Sequence, residues 1–312
     1  MQKYSEAKMR SQEMQGFIED HITEKTYDRV CNCGSYIDVI SDWEVKKRKL
    51  MAANFCKWAF CPMCEMRKAR QNGMKLSILM TYIQEIHRKE FVFLTLTAPN
   101  VKADKLPEEI TKFSKAFEKL FKRKEVIAMN FGYIRKLEIT YNQERDDYHP
   151  HYHVVIAVNR GYFAGGKYIK RDRWLDLWRE CMKDDSITQV DVRKVKKKID
   201  ANTLAEGFDM REMAKYAAKS GDYAQSEEVF AAFYNALHGR QKLVFAGLFK
   251  DANKMFKDGK LDEYKVPDKT VYYWEIFYIW GGKEYAERQR RALDAADKLF
   301  LARKGIETEL VD

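Results

Sequence analysis

His149-Pro150-His151-Tyr152-His153-Val154-Val155-Ile156-Ala157-Val158 is the stretch on which the reading of this 312-residue chain turns. From His153 onward it is short, apolar and β-branched, the pattern of a buried strand. Side chains alternate along a strand, so His151 and His153 project from one face while Tyr152 points from the other. Two imidazoles fixed in this way are ready ligands for a divalent ion. A helical zinc motif would space them four residues apart instead. A third donor is expected from a neighbouring strand, and Glu138 is the best-placed carboxylate. Two histidines and a carboxylate leave positions open for a phosphate oxygen, which suits Mg²⁺ or Mn²⁺ acting as a Lewis acid. A lone histidine is usually structural; a His-x-His pair behind a third histidine is much less readily accidental. His149 is the lesser candidate, for supporting a metal ligand from behind or for a phosphate contact.

Around this stretch, residues 91–97 (FVFLTLT, stopped by Pro99), 133–141, 187–195 and 271–280 (VYYWEIFYIW) also read as strands. Helical spacing marks residues 5–25, 68–88, 106–124 with Pro107 in the first turn, 171–183, 204–219, 226–238, 246–258 and 283–304. The alternation predicts an α+β fold: a central antiparallel sheet of about five strands with flanking helices, packed on one face. Three domains are expected: an N-terminal helix and Cys-rich zinc lobe over 1–70, the His-bearing domain over 71–257, and a strand–helix extension over 258–312.

The zinc lobe rests on cysteine arithmetic. Cys31, Cys33, Cys56, Cys61 and Cys64 fall close together, with Cys181 far away. The N-terminus has no apolar signal core, so a reducing cytoplasm is expected, where clustered thiols indicate metal rather than disulfides. Cys61-Pro62-Met63-Cys64 is a knuckle that brings two thiolates to one tetrahedral zinc. The other pair comes from Cys31, Cys33 and Cys56. Cys33 and Cys56 are favoured, with Cys31 as the alternative.

Charge narrows the partner. Lys and Arg number 57 against 47 Asp and Glu, for a net charge of +10, and the basic residues cluster at Lys46–Lys49, Lys122–Lys124, Arg193–Lys198 and Arg288–Arg291. Such a chain seeks a polyanion, nucleic acid first. No apolar run approaches a membrane span, and composition excludes collagenous and low-complexity classes.

Arg211-Glu212-Met213-Ala214-Lys215-Tyr216-Ala217-Ala218-Lys219 is rich in helix formers. Glu212 and Tyr216 share a helix face, with Lys215 and Lys219 beside it. A tyrosine oxygen can attack a phosphodiester when a metal polarises the phosphate and a cation steadies the phenolate. A nearby carboxylate can later direct water. Alone, this is the pattern of an ordinary amphipathic surface. Tyr223 is a rival nucleophile, but Gly221 is expected to end the helix before it.

In order, Phe93-Leu94-Thr95-Leu96-Thr97, His149–His153 and Glu212–Lys219 resemble the three motifs of the replication initiator (Rep) proteins of small rolling-circle plasmids of Gram-positive bacteria, within the wider His-hydrophobic-His endonuclease superfamily. The cysteines upstream and Gly247-Leu248-Phe249-Lys250 downstream sit where those proteins have similar segments, so the resemblance covers roughly residues 30–255. It implies a five-stranded antiparallel core and site- and strand-specific nicking at a plasmid double-strand origin. Tyr216 would attack, leaving a 5′-phosphotyrosine and a 3′-OH primer. His151, His153 and Glu138 would hold the metal, Lys215 or Lys219 would contact the phenolate or phosphate, and Glu212 would direct water at termination. A host helicase and DNA polymerase are expected partners, and residues 258–312, which carry no motif of the resemblance, could bind DNA, pack on the core or mediate self-association into a homo-oligomer. Other readings are a single-strand transposase or relaxase of the same superfamily, or a non-catalytic zinc-containing DNA-binding copy-number regulator. Transposases of this type are shorter and lack the Cys lobe, and relaxases place the tyrosine before the histidines.

Overall fold

A computed structural model describes residues 1–199, 206–208, 213, 220–266 and 268–304. The chain divides into two compact units, Met1–Gln71 with Pro267–Asp312, and Asn72–Val266. Among the described residues no helix is long and apolar enough to cross a membrane.

In the first unit, the helix expected over 5–25 is two helices, α1 (Gln2–Ile18) and α2 (Glu24–Cys31). Ile22 is extended, and the Thr23 side chain caps α2 by accepting from the Thr26 N–H, which stops the first helix and starts the second. A hairpin follows, β1 (Tyr36–Ser41) and β2 (Arg48–Ala53), and α3 (Pro62–Ile86) begins inside the Cys61–Cys64 knuckle. Residues near the C-terminus complete the sheet. β10 (Trp274–Trp280) pairs with β1, and β11 (Tyr285–Ala292) pairs with β10, giving the order β11-β10-β1-β2. The strand expected over 271–280 therefore forms, but in this sheet and not in the central one. The helix expected over 283–304 is instead β11 followed by α10 (Ala295–Lys304). Its Ala, Glu and Arg favour a helix locally, but the Gly281–Gly282 turn folds the chain back along the β10 edge, and ladder hydrogen bonds override propensity.

The second unit is built on a five-stranded antiparallel sheet in the order β6-β3-β5-β4-β9: β3 (Lys89–Thr97), β4 (Gly132–Asn142), β5 (Asp147–Asn159), β6 (Val190–Lys194) and β9 (Leu243–Gly247). The expected α+β class and strand number hold; the fifth strand is β9. Helices cover both faces rather than one. Leu76, Leu79, Met80 and Ile83 of α3 pack with Phe91, Phe93, Ile134, Val155 and Ala157 on one side. On the other, Phe113 and Phe117 of α4 (Leu106–Leu120) lie edge-on to the Tyr152 ring, and Trp178 of α6 (Arg171–Met182) packs on Phe113. The sequence carries the reason. β5 is buried without alternation from Pro150 to Val158, as a central strand covered on both faces must be.

β9 ends at a close backbone approach. Gly132 and Gly247 are register partners, and a Cβ on Gly247 would lie 2.6 Å from the Phe131 carbonyl oxygen. Only glycine tolerates that contact together with φ +54. It lets the chain turn at once into α9 (Leu248–Lys257), whose Phe249 and Ala252 join the α3-side core. The remaining described elements include α5 (Lys124–Met129), a two-stranded ribbon of β7 (Lys197–Ile199) and β8 (Glu206–Phe208), α7 (Ser220–Tyr223) and α8 (Glu227–Leu237). The helix expected over 204–219 thus has a strand near its start, and most of the rest lies outside the described residues.

Candidate metal centres and nucleophile segment

β5 sits between β3 and β4, so its histidines face partners on both sides. Glu138 is the register partner of His151, Lys136 of His153 across β4, and Thr95 of His153 across β3. One ligand atom each from Glu138, His151 and His153 lies within 4.8 Å of the others, and all three residues are buried. His153 Nε2 is 3.4 Å from Glu138 Oε2, while its Nδ1 meets Thr95 Oγ1 at 3.2 Å. His151 Nδ1 lies 3.3 Å from the His149 carbonyl oxygen. Each ring thus has one nitrogen engaged in an orienting contact, which fixes the ring for ligation by the other.

The charge states suit a cation. Burial alone would raise the Glu138 carboxyl, but the His153 hydrogen bond and the Lys136 ammonium outweigh it and hold it at about 2. Burial, with His153 adding, pushes the His151 imidazole down to about 4. At neutral pH the pair offers a carboxylate and a free imidazole, the forms a divalent ion needs. Sequence reasoning missed Lys136. Its Nζ lies 2.5 Å from Glu138 Oε2, with its side chain 2% exposed. The signal was available: Lys136 and Glu138 are i and i+2 on a strand and share a face.

The second cluster is Cys33, Cys56, Cys61 and Cys64, all buried. Sulfur separations are 3.8 Å for Cys33–Cys64, 3.6 Å for Cys56–Cys64 and 3.5 Å for Cys33–Cys61. A tetrahedron of thiolates bonded at about 2.3 Å has edges of about 3.8 Å, so the spacing fits a single zinc-sized ion. Backbone N–H groups of Cys56, Lys57 and Trp58 point at Cys33, Cys64 and Cys56 sulfurs, at 3.3, 3.2 and 3.5 Å. The carbonyls of Cys31 and Cys33 accept from the buried Lys8 Nζ, and that of Cys56 from Arg29. These donors offset the charge of four thiolates. Cys31 is partly exposed and outside the group.

The sequence matches the replication protein family over residues 47–285. The chain belongs to that family. "Protein rep" of Staphylococcus aureus is 47% identical over 224 residues, covering 72% of this chain and 95% of its own length. A "Protein rep" of Bacillus sp is 34% identical over 256 residues, 77% of this chain and 83% of its own. Another, from Streptococcus pneumoniae, is 34% identical over 237 residues, 74% and 72%. No solved structure matches the chain.

In this replication protein Glu212, Lys215, Tyr216 and Lys219 lie outside the described residues. Met213 is described: it is buried in the same core cluster as Phe208, Phe93 and Val155. Phe93 and Val155 are on the histidine face of the sheet, and the Phe93 ring is 5.5 Å from that of His153. Tyr223 sits within α7, so Gly221 does not end a helix ahead of it. Its side chain is buried and packs edge-on to Phe233.

Proposed function

We propose that this replication protein initiates rolling-circle replication of a plasmid by metal-dependent, site- and strand-specific nicking at the double-strand origin. The observation that carries the reading is the convergence of Glu138, His151 and His153 from two adjacent strands onto one sheet face. Met213 supports it. It is buried against that face, and Tyr216 is three residues further on, a reach of at most about 11 Å for extended chain.

Glu138, His151 and His153 would hold Mg²⁺ or Mn²⁺, which supplies Lewis acidity toward a phosphate oxygen. The Tyr216 oxygen, losing its proton, bonds to the scissile phosphorus. The bond from phosphorus to the 3′ oxygen breaks, and that oxygen takes up a proton as the 3′-OH primer. The DNA 5′ end stays on the enzyme as a phosphotyrosine. Lys215 or Lys219 steadies the phenolate or the phosphate, and Glu212 directs water when the round ends. Cys33, Cys56, Cys61 and Cys64 would hold a structural Zn²⁺, which takes no part in the chemistry. Origin DNA is the substrate, a host helicase separates the strands, a host DNA polymerase extends the primer, and the setting is the cytoplasm.

The test is incubation with Mn²⁺ and a supercoiled plasmid carrying the origin. Open circles with covalently attached protein are expected, with the adduct mapping to Tyr216. Tyr216→Phe should abolish attachment, and Glu212→Ala should nick but fail to terminate. Shifted but uncut DNA would sink the reading in favour of a non-catalytic DNA-binding regulator.

A further inference from the structure

The first unit presents aromatic surface that the nicking chemistry does not use. Trp43, in the β1–β2 turn, is 65% exposed, and Tyr273, just before β10, is 41% exposed. The Trp43 ring lies 5.3 Å from Trp274, tilted by 30°, and 5.7 Å from Tyr273, edge-on. These are not loose side chains. Trp274 Nε1 donates to the Trp43 carbonyl oxygen at 3.2 Å, and Tyr273 N donates to Ser41 O at 2.8 Å. The turn is pinned by Asp42 Oδ1, which accepts from the backbone N–H groups of Lys46 and Lys47 at 2.8 and 2.9 Å.

Cations border the rings. Lys298 Nζ lies 5.6 Å from the Tyr273 centroid and Arg290 Cζ 5.9 Å from that of Trp274. Arg290 is also paired with Glu287, and Lys46 with Glu44. Lys47 follows Lys46 in the turn, and its side chain has no ion pair among the described residues. Lys46 and Lys47, in the same turn as Trp43, and Arg290 and Lys298, far from them in sequence, therefore lie around one fixed aromatic group, whereas Lys49 is held by Asp268 and Arg291 by Glu275 and Asp297.

We propose that Trp43, Tyr273 and Trp274 form a stacking platform for unpaired bases of single-stranded DNA, with Lys46, Lys47 and Lys298 on its phosphates. A rigid ring with its face in water wants a flat apolar partner, and the basic rim selects a polyanion. Unpaired bases satisfy both requirements at once, whereas in a duplex the base faces are already stacked on each other. The inference rests on the reading that this chain acts on DNA. It adds a single-strand contact in a unit other than the one that bears the histidines.

The experiment uses the full chain and a dT oligonucleotide of about 15 nucleotides without origin sequence. Binding is followed by fluorescence anisotropy, and stacking by quenching of tryptophan emission. Trp43→Ala should weaken single-strand binding about tenfold and remove most of the quenching, because base–aromatic stacking makes a contribution of this size per base. Trp43→Phe should retain most of the affinity. Zinc content and circular dichroism of the variants confirm folding, and Mn²⁺-dependent nicking at saturating plasmid should persist in Trp43→Ala. Equal oligonucleotide affinity in wild type and Trp43→Ala, or equally tight binding of a non-origin duplex, overturns the platform. Loss of nicking in the wild type is a different result, and it bears on the proposed function alone.

Discussion

Lys136 Nζ and Glu138 Oε2 are 2.5 Å apart, and both side chains are almost completely buried. The ammonium shares that carboxylate oxygen with His153 Nε2, which lies 3.4 Å from it. It therefore both stabilises that carboxylate and competes for it with any cation at the histidines.

Lys136→Met separates these two effects. Removing one partner of a buried ion pair should destabilise the metal-free protein by about 3 kcal/mol. Mn²⁺ should then bind more tightly and recover much of the loss, because a ligand that binds only the folded state stabilises it. Thermal melts with and without Mn²⁺ check this. The rise in Tm should be larger in the variant than in the wild type, and an equal rise would mean that Lys136 does not compete for Glu138.

The metal reading itself is tested by calorimetric titration with Mn²⁺. His151→Ala should lose binding, whereas Thr95→Val, which removes the 3.2 Å contact to His153 Nδ1, should weaken it about tenfold, as loss of a ligand-orienting partner does. DNA binding should survive both changes.

For the cysteine cluster, Cys61→Ser should abolish zinc retention and loosen the first unit, since a closed thiolate site contributes folding energy directly. Cys31→Ser should keep the zinc. Atomic absorption on the purified variants distinguishes the two outcomes, and metal loss in Cys31→Ser would reassign the fourth ligand.

Asp38 provides a pH signature within the first unit. Burial, with Glu275 adding and Arg291 opposing, pushes its carboxyl up to about 6. Its Oδ1 is buried without a hydrogen-bond partner among the described residues. The folded state thus holds the proton more tightly than the unfolded chain, for which the ordinary value is 3.8. Stability falls as pH rises through this window, and the penalty is fully present above about pH 6. Asp38→Asn should accordingly raise Tm near pH 7.5 and leave it unchanged near pH 3.5. A similar gain at both pH values would show that the charge is not the cause.

Binding to origin DNA should weaken steeply with salt, by about a thousandfold between 50 and 200 mM, as counterions return to phosphates that Lys and Arg had neutralised. A nearly flat dependence, read by anisotropy, would argue that the basic clusters are not the footprint.

The order of elements near the site was written locally. The unbroken burial of β5 follows from Val154–Val158, and alternation put His151 and His153 on one face before any tertiary contact was known. Glu138 was legible because its strand is the next one in sequence, so a hairpin pairing was the simplest choice. Likewise the close spacing of Cys61 and Cys64 marked their shared site. What was not legible depended on long-range pairing. Nothing in residues 271–292 says that they join β1 across more than two hundred residues, and the helix-favouring composition of β11 argued against a strand. Only the tertiary structure brought Trp43 to Trp274 and Gly132 against Gly247, whereas Lys136 beside Glu138 follows from strand alternation alone. Local sequence fixes periodicity and facing, because these depend on neighbours along the chain. Which edges meet depends on free energy shared between distant segments, and no single segment encodes it.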